Sequence, residues 1–128
     1  MIIETGEGAN AIILNSDKVL TVRMHMAGMS DVTFTNGQLK ELPVTEADFA
    51  HVASFHRFPL PGGGTVLVNL DHLMYATPTW AADQMQLRLD SPAEHGNRDS
   101  GIDAPIVKIT ASELSDILRR EERVALGL

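Results

Sequence analysis

The feature that most constrains this chain is a likeness between its two halves. Ala11-Ile12-Ile13-Leu14-Asn15-Ser16-Asp17-Lys18-Val19-Leu20-Thr21-Val22 is matched by Thr65-Val66-Leu67-Val68-Asn69-Leu70-Asp71-His72-Leu73-Met74-Tyr75-Ala76. Each segment is an apolar run, then Asn-x-Asp, then a second apolar run. The halves agree again downstream, where Val44-Thr45-Glu46-Ala47-Asp48-Phe49 matches Ile109-Thr110-Ala111-Ser112-Glu113-Leu114. An insertion in the second half, Ser91 to Ala104, accounts for the change in spacing. It is rich in Gly, Pro, Asp and Ser, as loops are. Internal repeats of this kind determine which folds are available.

The matched segments predict local structure. Thr45-x-x-Asp48 and Thr110-x-x-Glu113 are capping-box patterns, in which a hydroxyl and an acid satisfy each other's backbone N–H groups. Apolar residues come next at helical spacing: Phe49, Val52 and Ala53 in one half, Leu114, Ile117, Leu118 and Val124 in the other. Val32 to Thr35 and Leu39 to Val44 flank Asn36-Gly37, a strong hairpin signal because both residues tolerate positive φ. Met85-Gln86-Leu87-Arg88-Leu89 alternates as a half-buried strand does, and Ile106 to Ile109 reads as another. The expected fold class is therefore α+β. It consists of two diverged β-β-β-α repeats sharing one core, with antiparallel sheets and two helices. Residues 1–128 are expected to form a single domain, with repeat one at about 9–55 and repeat two at about 65–128. Pro59 to Gly64 joins them and cannot continue a helix or a central strand.

Several function classes are excluded or disfavoured. The chain has no cysteine, which removes disulfides, thiol nucleophiles and Cys-ligated metals together. No apolar run approaches the ~20 residues of a membrane span, and Met1 to Gly8 lacks the pattern of a secretory leader. A cytoplasmic, soluble protein with no membrane partner is expected. Seventeen acidic against ten basic residues give a formal net charge of −7. Such a surface repels phosphate at long range, so nucleic acid is disfavoured as a partner. Arg119, Arg120 and Arg123 are interleaved with Glu121 and Glu122, as on a solvated helix face.

The stretch Val68 to Pro78, with a strand after it and then Ile106-Val107-Lys108-Ile109-Thr110 before a helix, resembles the small FlbD-type proteins of bacterial flagellar operons. His56-Arg57 ahead of Val68-Asn69-Leu70 also resembles LytTR DNA-binding domains, although Phe58 to Leu67 stand where that family has only a few residues. The first resemblance implies no catalytic residues. The second implies DNA binding, against which the net charge argues.

Residue chemistry supplies the site candidates. Asn15/Asp17 and Asn69/Asp71 read either as twin acidic positions or as turns in which Asn bonds nearby backbone; recurrence in both halves favours the turn. Met24-His25-Met26-x-x-Met29 carries soft ligands, but strand alternation puts His25 opposite its flanking Met residues. A metal site, if present, is expected to draw on His25, His72 and Asp71, with Asp17 and His56 as further members; no cofactor is expected. Gly6-Glu7-Gly8 and Gly62-Gly63-Gly64 lack the Gly-Lys-Ser/Thr ending of a phosphate loop. Trp80 and the long-loop residues Glu94, His95, Asp99 and Asp103 are the expected partner-binding surface, since Trp is enriched at interfaces and long loops often carry function. Tyr75 stands beside them as an anchor or a core residue. The leading expectation is a non-enzymatic interaction or regulatory module, self-associating or bound to another protein. The alternatives are a metal-dependent hydrolase and an acidic inhibitor that occupies a nucleic-acid-binding groove.

Overall fold

The computed structural model describes residues 1–90, 105–125 and 127. Among these residues, ten strands and one α-helix run in the order β1 (Ile2–Thr5), β2 (Ile12–Asn15), β3 (Val19–Met26), β4 (Met29–Phe34), β5 (Leu39–Leu42), β6 (Phe55–Pro59), β7 (Thr65–Asn69), β8 (Leu73–Pro78), β9 (Gln84–Leu89), β10 (Ile106–Lys108) and α1 (Ala111–Ala125). They form three antiparallel sheets. A five-stranded sheet of order β5-β4-β3-β7-β6 lies between the β1-β2 hairpin and a three-stranded sheet of order β10-β9-β8.

The middle sheet is buried on both faces at its centre, where β3 begins and along β7, and its sequence shows why. Val19 to Val22 in β3 and Val66 to Val68 in β7 are unbroken apolar or Thr runs, the pattern of a strand with no solvent face. Leu20, Phe58, Val66 and Val68 point toward the small sheet, where Met85, Leu87, Leu89 and Val107 meet them, and toward α1, which adds Leu114 and Ile117. Val19, Val22, Val32 and Leu67 point the other way, onto Ile3, Leu14 and Phe49. The expected single shared core is thus two cores, one on each side of a central sheet.

The expectation of two β-β-β-α repeats with two helices is overturned. Among the described residues there is one α-helix; the other capped segment is a single 3-10 turn, Glu46–Phe49. Its cap works as read, with the Thr45 N–H donating to Asp48 Oδ2 at 2.8 Å. The turn fails to propagate because β6 begins at Phe55, leaving too few residues to repay helix nucleation. At α1 both halves of the box form: Thr110 N–H reaches Glu113 Oε1 at 3.4 Å, and Glu113 N–H reaches Thr110 Oγ1 at 3.2 Å. There the chain runs on for 15 residues with a buried stripe. The strands after the two Asn-x-Asp segments also differ in place. Central β3 pairs with both β4 and β7, whereas β8 is the edge of the small sheet.

The Asn-x-Asp segments do share one local job. Asn15 Oδ1 accepts the Asp17 N–H at 3.1 Å, and Asn69 Oδ1 accepts the Asp71 N–H at 3.2 Å. Each opens a 3-10 turn, Ser16–Lys18 or Leu70–His72, that carries the chain from one sheet to the next. The Asn36-Gly37 hairpin joins β4 to β5, with Gly37 at φ 83°.

Candidate nucleic-acid interface

The small sheet has one face in the core and one in solvent, and the register assigns each residue. Met85, Leu87 and Leu89 of β9 are buried, so Gln84, Gln86 and Arg88 point outward. Tyr75 lies opposite Arg88 and Thr77 opposite Gln86. On the other edge Ile106 lies opposite Gln86 and Lys108 opposite Gln84. These outward strand positions carry two cations, two amides, a hydroxyl and a phenol, and the exposed carboxylates Asp83 and Asp90 flank β9 at its two ends. Arg88 Nη2 donates to Gln86 Oε1 at 3.2 Å, which holds the guanidinium along the sheet. Trp80, 96% exposed, stands in the β8–β9 turn at the same end as Lys108 and Gln84. The alternation of Met85 to Leu89 is readable in the sequence, and its polar half is the half that faces outward.

The other candidates are dispersed. Glu94, His95, Asp99 and Asp103 lie outside the described residues. His72 faces backbone, its Nε2 lying 2.6 Å from the Asp17 carbonyl oxygen. It borders an open cleft with Lys18, Thr35, Asn36 and Asp90. Asp71 borders a different cleft, beside Leu118, Glu121 and Glu122. His25 stands near Asp31 and Glu41, at 3.7 and 3.5 Å, and not with His72 or Asp71. Asp17 pairs with the N-terminal amine at 3.4 Å. The hydrolase set is therefore not assembled among the described residues.

His56 sits on β6 with its ring 4.8 Å from that of Phe58. Burial there holds its pKa below the usual 6.5; Glu121 opposes the shift and Arg120 adds to it. The unfolded chain thus binds a proton more readily at this position than the folded one. The His56 contribution to stability is complete above pH 6.5 and falls as pH drops through the window down to the folded value. Thermal melts from pH 7.5 to 5 should show His56→Gln losing less Tm than the parent over that window. Parallel curves would mean that folding leaves the His56 proton affinity unchanged.

Comparison with protein-family models and with curated proteins gives no match. Among solved structures, the chain is similar to a LytTr DNA-binding domain from Bacillus cereus, at 15% identity and a TM-score of 0.52, over 99% of this chain and 97% of that one. The fold is LytTr-like. This overturns the expectation that nucleic acid is disfavoured as a partner: net charge sums over the whole surface, and a fold of this kind is known in a DNA-binding domain. It agrees with the His56-Arg57 and Val68-Asn69-Leu70 resemblance, whereas nothing in the comparison supports the FlbD-type one. Among the described residues no helix is long and apolar enough to cross a membrane.

Proposed function

We propose that this chain is a DNA-binding regulatory module that applies the outer face of its β8-β9-β10 sheet to the duplex. The observation that carries the reading is that, among the described residues, the outward positions of β9 and β10 hold Arg88 and Lys108 with only amides and apolar groups between them, on a chain of net charge −7. An acidic protein that binds DNA must concentrate its cations at the contact, and the outward positions of these strands hold Arg88 and Lys108, with the nearest described carboxylates, Asp83 and Asp90, at the ends of β9. Four residues of strand and one strand spacing put Arg88 and Lys108 roughly 14 Å apart. That is comparable with the ~12 Å width of the major groove, so the two can reach phosphates on its two walls. Gln84 and Gln86 lie between them, with amides suited to base edges, and β-ribbons are known to enter grooves in this way. The LytTr-like fold supports the same reading. The regulatory expectation is kept, with DNA in place of a protein partner.

The test is the double variant Arg88→Ala/Lys108→Ala on a mixed-sequence duplex. Loss of two phosphate contacts is expected to weaken binding about tenfold or more near 0.1 M salt. It should also make the slope of log K against log salt shallower by about 1.8. Unchanged affinity and slope would remove this face from the interface.

A further inference from the structure

At the far end of the middle sheet, three neighbouring strands bring together side chains that the DNA-binding reading does not use. Asp31 of β4 lies directly opposite Glu41 of β5, and Arg23 of β3 lies directly opposite Asp31. His25 is two residues beyond Arg23, where the register of β3 shifts between Met24 and Met26. Like charges facing each other across a ladder are unfavourable unless something neutralises them. Arg23 does not: among the described residues it makes no ion pair within 4 Å. The group between the carboxylates is the His25 ring, with Nδ1 3.7 Å from Asp31 Oδ2 and Nε2 3.5 Å from Glu41 Oε2.

We propose that His25, Asp31 and Glu41 bind one divalent transition-metal ion of the zinc type, which ties edge strand β5 to β4 and β3. Both separations are too long for a hydrogen bond. Either one, taken singly, is close to the ~3.4 Å edge of a tetrahedron whose metal–ligand bonds are near 2.1 Å, and a single ion takes only one of the two ring nitrogens. Glu41 faces Nε2 and Asp31 faces Nδ1, so one nitrogen and its carboxylate hold the ion while the second carboxylate swings in. All three residues can offer a ligand atom within 4.8 Å of the others. The imidazole selects zinc, nickel or cobalt over magnesium and calcium, which prefer all-oxygen sites. The three side chains are each between about a third and a half exposed, so they rearrange freely and leave the remaining coordination positions to water. The gain falls on β5, whose residues are mostly exposed.

The experiment is a calorimetric titration of the full chain with zinc chloride, paired with thermal melts with and without the ion. One zinc per chain is expected, with Tm raised by roughly 10–15 °C at about a thousandfold excess of ion over the dissociation constant. His25→Ala should abolish both effects, and Glu41→Gln should weaken binding at least tenfold. His72→Ala, remote from the cluster, should retain both. No zinc uptake by the parent at 0.1 mM (about a thousandfold above a ~0.1 µM site), or uptake unchanged in His25→Ala, would overturn the proposal.

Discussion

Phe58→Ala is expected to destabilise the protein by roughly 3–5 kcal/mol, read as a fall in the urea midpoint at constant m-value. Phe58 is fully buried, lies opposite Val66 on β7, and fills the space between the middle sheet and the small sheet. Truncation removes apolar surface and leaves a cavity as well. The cavity should persist, because its walls are two hydrogen-bonded sheets that cannot close on each other without breaking their ladders. The small sheet carries Arg88 and Lys108, and this core is what fixes it to the rest of the chain. On the proposed DNA-binding role, the variant should therefore bind DNA more weakly under conditions where it is part unfolded. Trp80→Ala is the matched control. That side chain is 96% exposed and should change stability by no more than about 0.5 kcal/mol. Equal losses in the two variants would contradict the packing described here.

Asn69→Ala is expected to cost roughly 2–4 kcal/mol, while Asn15→Ala, its match in the first half, should cost about 1 kcal/mol or less. Both side chains accept a hydrogen bond from the N–H two residues on. Only Asn69 is buried, at 2% exposure, and only its amide nitrogen donates across the fold, to the Ser16 carbonyl at 3.3 Å and the Val19 carbonyl at 3.0 Å. Those bonds join the corner after β7 to the corner before β3. Alanine at 69 strips a hydrogen bond from each of these carbonyls in a region closed to water, and that desolvation penalty is the larger part of the cost. Asn15 is exposed, so water replaces its single bond. Urea titrations of the two variants side by side decide the matter. Similar values would mean that the link between the corners contributes little.

The same pair shows what a sequence can convey. The Asn-x-Asp turns, the Asn36-Gly37 hairpin and the Thr110 cap are each specified within a few residues, and all were legible. The partners that the turns bring together were not. The β3–β7 pairing, which makes β3 central, joins segments more than forty residues apart, and it sends Asn69 across to Ser16. The Thr45 box and the Thr110 box look equivalent as patterns. Whether a helix grows from either depends on the residues downstream, and Phe55 is already committed to β6. The proposed interface was hidden for a related reason. A charge of −7 is a sum, while binding depends on which side chains share a face, and that is settled only when β8, β9 and β10 come into register. His25, Asp31 and Glu41 likewise lie on three strands, and no spacing along the chain announces them.

DNA binding is tested most directly by a fluorescence-anisotropy titration of a labelled mixed-sequence duplex at low and moderate salt, between about 50 and 200 mM. The predicted result is saturable binding whose log K falls linearly with log salt, and which is tighter than about 10⁻⁴ M at the low-salt end. No change in anisotropy up to that protein concentration at the lowest salt would contradict the assignment, leaving a LytTr-like fold put to some other use.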